Sequence, residues 1–176
     1  KDPFALRRAA IGVIRIIIEK QLDLDLAVLI NESIQLFGDK LVNENTAENV
    51  LDFIMGRFRA FYQEQGITVD VIQAVLAKKP SEPLDFDKRI KAVSYFGELP
   101  EAETLAAANK RVGNILAKFD GQLYKSFRTE LASEQAEKDL AITFQAISLK
   151  VAPLVVEKNY QAALTELAKL KTPIDT

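Results

Sequence analysis

The sequence predicts an all-α fold of two packed helical subdomains. Apolar residues recur at steps of three and four along most of the chain, and Asp, Thr or Pro stands where those stretches begin. Glycine closes several of them, and no alternation of polar and apolar residues makes a strand compelling.

Asp2 before Pro3 reads as the first helix start, because a carboxylate can accept from first-turn amides and proline there loses no needed donor. That helix should run to about Lys20. Its apolar residues Leu6, Ala9, Ala10, Val13, Ile14, Ile16, Ile17 and Ile18 cover more than half the circumference, with Arg7, Arg8 and Arg15 in the remaining sector. The pattern predicts a helix buried between neighbours. A second helix over 26–37 should stop at Gly38, and a third, capped by Thr46, at Gly66. Thr68 should cap a short fourth helix through Lys78.

The Lys-Pro-Ser-Glu-Pro stretch around Pro80 and Pro83 then breaks the pattern and gives a candidate boundary between subdomains 1–80 and 81–176. Asp85 should cap a fifth helix that turns Phe86, Ile90 and Val93 inward. Pro100 should open a sixth ending near Phe119, the two forming a helical hairpin. Past Gly121, Leu123, Tyr124 and Phe127 suggest a connection that still packs on the body. Ser133 should start a long helix with Leu140, Phe144, Ile147, Val151 and Leu154 on one stripe, kinked by Pro153. The last helix should span about 160–170.

Composition restricts the chemistry. The chain has 176 residues, 48% apolar and 27% charged, ordinary for a globular protein with a real core. Its 23 basic and 25 acidic residues are close to balance, and splitting the chain at residue 80 leaves each part at −1, so any nucleic-acid contact must be a local patch. Without Cys or His there are no thiolate ligands and no imidazole base, and no Gly-rich phosphate loop occurs. An independent active site or metal site is not expected. The apolar run 9–18 is interrupted by Gly12 and Arg15 and is shorter than the roughly 20 residues a membrane span needs. Beginning with Lys1 at a helix start, the chain reads as a piece of something longer. Paired acids such as Asp23 with Asp25, or Asp85 with Asp87, read as turn and cap residues.

The residues that suggest a function lie in 105–116, Leu-Ala-Ala-Ala-Asn-Lys-Arg-Val-Gly-Asn-Ile-Leu. At about 100° per residue, Leu105, Ala108, Val112, Ile115, Leu116 and Phe119 share one side of a helix, and Lys110, Arg111, Asn114 and Lys118 share the other. Long cations beside an amide suit phosphates and base edges, although a solvated face has the same composition. Lys88 and Lys91, one turn apart, form a second candidate set with Arg89, which Asp85 and Asp87 could instead neutralise. Arg57 lies between Phe53 and Phe61, either covering core aromatics or splaying them as a platform for a base. Arg7, Arg8 and Arg15 read better as an interdomain or intersubunit patch.

The same 105–116 segment, together with 2–10 (Asp-Pro-Phe-Ala-Leu-Arg-Arg-Ala-Ala), 66–77 and 85–93 (Asp-Phe-Asp-Lys-Arg-Ile-Lys-Ala-Val), resembles the C-terminal region of the bacterial glycyl-tRNA synthetase β subunit. The blocks follow one another in order along nearly the whole chain. The resemblance implies that the second subdomain is a truncated anticodon-binding helical bundle of the type shared with arginyl-tRNA synthetase, stopping at Thr176 before its terminal helices. It further implies a cytoplasmic heterotetramer of two α and two β subunits that charges glycine tRNA, with ATP and Mg bound on the α subunit and no cofactor in this chain. On that resemblance Lys110, Arg111, Asn114, Lys118, Lys88 and Lys91 become the expected RNA contacts. No membrane partner is expected. The alternative is a helical assembly module, docked through the apolar face of the first helix without reading an anticodon.

Overall fold

The computed structural model describes residues 4–121 and 132–175. Within them the chain is all-α, with nine α-helices and one short 3-10 turn: α1 Leu6–Glu19, α2 Leu26–Phe37, η1 Gly38–Lys40, α3 Thr46–Gln63, α4 Val69–Leu76, α5 Pro83–Gly97, α6 Ala102–Leu116, α7 Gln135–Val156, α8 Tyr160–Ala168 and α9 Lys171–Asp175. Two compact units result, 1–91 and 92–176. The expected Asp2–Pro3 start and the Leu123, Tyr124 and Phe127 connection lie outside the described residues.

In the first unit, α3 packs on α1, α2 and α4. Ala5, in the left-handed region at φ 56°, leads into α1. Asp25 caps α2 as its side chain predicts, Oδ1 accepting from the Ala27 amide at 2.8 Å and the Val28 amide at 3.4 Å. Gly38 (φ 52°) and Gly66 (φ 84°) take the positive φ that lets the chain turn away after α2 and α3. Ile17, Leu26 and Ile30 form one patch of core, flanked by Leu24, Ile34, Ala47, Leu51 and Ile54.

The other patch is aromatic. Phe58, Tyr62 and Phe86 are buried to 1% exposure or less, with ring centroids 4.4 Å apart for Phe58 and Phe86 and 5.6 Å for Tyr62 and Phe86. Each such ring removed from water contributes about 1.5–3 kcal/mol. α1 is buried only along Ala10, Ile14, Ile17 and Ile18, while Leu6, Val13 and Ile16 remain exposed. It is therefore not enclosed between neighbours as its composition predicts.

The division between units differs from the expected one. Residues 80–83 are not a linker: the Ser81 carbonyl accepts from the Leu26 amide at 2.9 Å, and Pro83 is fully buried. Pro83 is the first residue of α5, a position where proline's missing amide costs nothing. The same proline that breaks one helix starts the next. The first unit thus includes the front of α5, and the division falls inside that helix.

In the second unit, α7 packs against α8 and α9, and α9 against α6. Glu134 and Glu137 form a capping box at the start of α7, where Glu137 Oε2 accepts from the Ser133 amide at 2.9 Å and the Glu134 amide at 3.3 Å. Of the predicted stripe, Ile147 is buried and Leu140, Val151 and Leu154 are half-buried, but Phe144 is 57% exposed. α7 continues through Pro153 to Val156. Asn159 caps α8, its side chain accepting from the Ala162 amide at 3.3 Å. Ile142, Leu149 and Val156 recur every seven residues on a side of α7 that faces solvent. This helix is also long and apolar enough to cross a membrane by length and composition.

Candidate nucleic-acid interface

The amide and cations of α6 meet as predicted by their spacing. Lys110, Arg111, Asn114 and Lys118, with Ala107 and Ile115 between them, line a shallow concavity of about 350 Å³. The small Ala107 leaves the hollow, and three cations rim it. Among the described residues none of these three cations is held in an ion pair. Lysine and arginine donors around a carboxamide can engage phosphate oxygens, sugar hydroxyls or a base edge.

The other side of α6 is not what its sequence predicts. Val112, Ile115, Leu116 and Phe119 are 46–60% exposed. Only the front of the seam is covered, around the buried Ala102 and the half-buried Leu105 and Ala108. Apolar spacing defines a face without requiring that anything cover it. The back half of α6 therefore presents cations on one side and bare aliphatic and aromatic side chains on the other.

The α5 set behaves differently. Lys91 Nζ donates to Asp87 Oδ2 at 2.6 Å, and Tyr62 Oη donates to Asp87 Oδ1 at 2.8 Å. Asp87 is buried, so its charge is neutralised and both its oxygens are satisfied. Burial, and then the Asp87 charge and hydrogen bond, push the Tyr62 hydroxyl far above the ordinary phenol range, so it remains a donor. Arg89 Nε meets the buried Asp85 Oδ2 at 2.7 Å. Asp85 and Asp87 are thus buried partners of cations one turn on, rather than turn and cap residues. Lys88 stands half-buried on the same helix. Lys88 and Lys91 belong to the first unit and the four residues on α6 to the second.

Arg57 lies over Phe53 at 5.0 Å from the ring centroid and donates from Nε to the Phe53 carbonyl at 3.4 Å. Phe61 instead has Arg15 at 6.0 Å and Tyr62 edge-on at 5.0 Å. Its two flanking rings are thus not splayed around Arg57. Among the described residues no group of three or more potential metal ligands gathers.

Sequence reasoning missed a second cationic region. Lys169 is hydrogen-bonded to Glu166 Oε1, and Lys150 approaches the other carboxylate oxygen at 3.9 Å. Lys169 also lines a cleft of about 690 Å³ with Lys171, Thr165, Thr172, Glu101 and others. The i, i+3 spacing of Glu166 and Lys169 was the available signal.

The second unit thus presents three cations and an amide together from one exposed helix. Residues 1–77 match the family described as glycyl-tRNA synthetase beta subunit. Over 176 residues the chain is 82% identical to the glycine–tRNA ligase beta subunit of Colwellia psychrerythraea, a match covering 100% of this chain and 26% of that protein. It is 58% identical over 174 residues to the protein of the same name from Aliivibrio fischeri, covering 99% and 25%. The Aeromonas salmonicida protein of that name is 56% identical over 176 residues, covering 100% and 26%. The chain spans about a quarter of the length of these relatives.

Proposed function

We propose that this chain is a C-terminal helical segment of a glycine–tRNA ligase β subunit, and that its second unit holds glycine tRNA while the α subunit carries out ATP-dependent aminoacylation. The observation that carries this reading is the gathering of Lys110, Arg111, Asn114 and Lys118 around one hollow on an exposed helix. Lys110, Arg111 and Lys118 contact phosphates and position the RNA, and Asn114 reaches a base or sugar edge. Lys88, on α5 in the first unit, is a further RNA contact on this reading. Lys91 takes part through the outer side of an ammonium already anchored on Asp87.

On this reading the second unit is part of an anticodon-binding-type bundle, and the segment itself charges no tRNA. ATP and Mg belong to the α subunit. The working assembly has two α and two β subunits and is cytoplasmic, with no membrane partner.

The test is fluorescence anisotropy of labelled glycine tRNA against the full-length β subunit, native and with Lys110→Ala plus Arg111→Ala. Two lost phosphate contacts should weaken binding roughly tenfold at moderate salt and flatten the log–log salt dependence by about 1.4–1.8. Unchanged affinity and slope in a variant of unchanged helicity would remove α6 from the interface.

The second reading is an assembly module, favoured by the exposed Leu6, Val13 and Ile16 on α1. It predicts that Val13→Asp with Ile16→Asp abolishes association with purified α subunit while tRNA affinity of the β subunit is unchanged.

A further inference from the structure

Phe119 has no role in the interface described above. Its side chain is 53% exposed, and among the described residues its ring stacks on no other ring and has no cation over its face. A single exposed phenylalanine is ordinary by itself. The neighbours of this one give it a use.

α6 ends at Leu116, and the chain then tightens. The Lys118 amide donates to the Ile115 carbonyl at 3.2 Å and the Phe119 amide to the Leu116 carbonyl at 3.1 Å, so i, i+3 bonds fix the backbone of both residues. Lys118 lines the hollow with Lys110, Arg111 and Asn114, and Phe119 follows it at one peptide's distance, about 3.8 Å between Cα atoms. The tip of the ring abuts Gly121, where a Cβ would meet Phe119 Cε1 at 2.7 Å and Cζ closer still. Glycine at 121 is what leaves the ring its place.

A nucleotide joins its phosphate to its base through one sugar. A phosphate oxygen held by the Lys118 ammonium therefore leaves that nucleotide's base within reach of the next side chain. Phenylalanine offers a flat π face on which any base can stack, and no group that reads a base edge. Val112, Ile115 and Leu116 are exposed as well, but aliphatic side chains have no such face. A base inside a duplex has neighbours on both of its faces, so the ligand that fits is an unpaired nucleotide.

We propose that Phe119 is a stacking platform for an unpaired nucleobase whose phosphate Lys118 holds, so that the end of α6 grips a single-stranded stretch of RNA. This rests on the reading that the chain binds tRNA. Stacking tolerates any base, so Phe119 adds affinity for an open strand without choosing its sequence.

The experiment titrates labelled glycine tRNA into the full-length β subunit at two salt concentrations. It compares the native protein with Phe119→Leu, Phe119→Tyr, Gly121→Ala, Leu116→Ser, and Lys110→Ala plus Arg111→Ala. Phe119→Leu keeps an apolar side chain and removes the π face, so it should bind roughly five- to tenfold more weakly. Its salt slope should stay native, since no cation is lost. Phe119→Tyr should keep affinity within about twofold of native, because the ring remains. Gly121→Ala displaces the ring without removing it and should fall between the two. Leu116→Ser alters the apolar side of α6 without touching a ring and should bind as the native protein does. If Phe119→Leu binds like the native protein while the cation variant loses affinity and slope, the platform is wrong and the tRNA reading stands. If no variant changes, both fall. If Phe119→Tyr or Leu116→Ser is as weak as Phe119→Leu, apolar packing and not stacking is at work, and the platform is wrong. Loss in Phe119→Leu with native behaviour of Phe119→Tyr and of the cation variant would keep the platform and remove Lys110 and Arg111.

Discussion

The two units bury their large apolar side chains unequally. In the first, the buried apolar residues include Phe58, Tyr62, Phe86 and the isoleucines 14, 17, 18, 30, 72 and 90. In the second, the buried apolar residues among those described are Ala92, Ala102, Ile147, Ala163 and Ala168, so four of the five are alanines. Large apolar groups are plentiful there but sit outside, at Val112, Ile115, Leu116, Phe119, Ile142, Phe144, Leu149 and Val156. Alanine burial removes little surface per residue, and stability follows the area removed from water. The first unit is built as a stable frame. The second is built to present surface, cations on α6 and around Glu166 and apolar stripes on α6 and α7.

The sharpest way to break this contrast is at the aromatic patch. Phe86→Ala should cost about 3–5 kcal/mol in chemical denaturation, since it empties a site packed by two other rings. A loss under about 1 kcal/mol would mean the first unit does not depend on that patch. Asp87→Ala should cost about 1–3 kcal/mol, because the buried Tyr62 hydroxyl loses its acceptor. Tyr62→Phe in the same background should recover part of that loss, which a double-mutant cycle measures.

The second unit predicts the opposite response. Leu149→Ser should change stability by no more than about 0.5 kcal/mol despite the loss of a large apolar side chain, because Leu149 is 74% exposed. Native-state hydrogen exchange should find the amides of α6 opening at lower free energy than those of α3. The smallest effect concerns Glu166. The Lys169 hydrogen bond holds its carboxyl below the ordinary glutamate range. A lowered folded-state value stabilises above the unfolded-state value, and that contribution is lost as pH falls through the folded-state one. Glu166→Gln should therefore slightly flatten the acid side of the second unit's stability profile, leaving the first unit's unchanged.

Much of the frame was legible because its signals are local. Asp25 capping α2, and Gly38 and Gly66 turning the chain after α2 and α3, are conformational preferences visible in single residues. What required three dimensions was pairing. Tyr62 and Asp87 are 25 residues apart, so nothing in the spacing shows that a buried hydroxyl needs that carboxylate. Pro83 was ambiguous because proline both ends and begins helices. α9, at five residues with Pro173 inside it, is too short to give periodicity.

The site divides in the same way. Lys110, Arg111, Asn114 and Lys118 were legible as one face because a single helix carries them all. The Lys169–Lys171 cleft was not, since it forms only where α8 and α9 meet the start of α6. The exposure of Val112, Ile115, Leu116 and Phe119 was also out of reach, because a period specifies a face and not its neighbour.

The central claim is that the polar face of α6 touches RNA. A photo-crosslinking amino acid placed at Asn114 in the full-length β subunit, mixed with α subunit and glycine tRNA and then irradiated, tests it at the residue. The account predicts an RNase-sensitive crosslink to tRNA that weakens as salt is raised. Crosslinks to protein alone, from a correctly assembled complex that still binds tRNA, would contradict it.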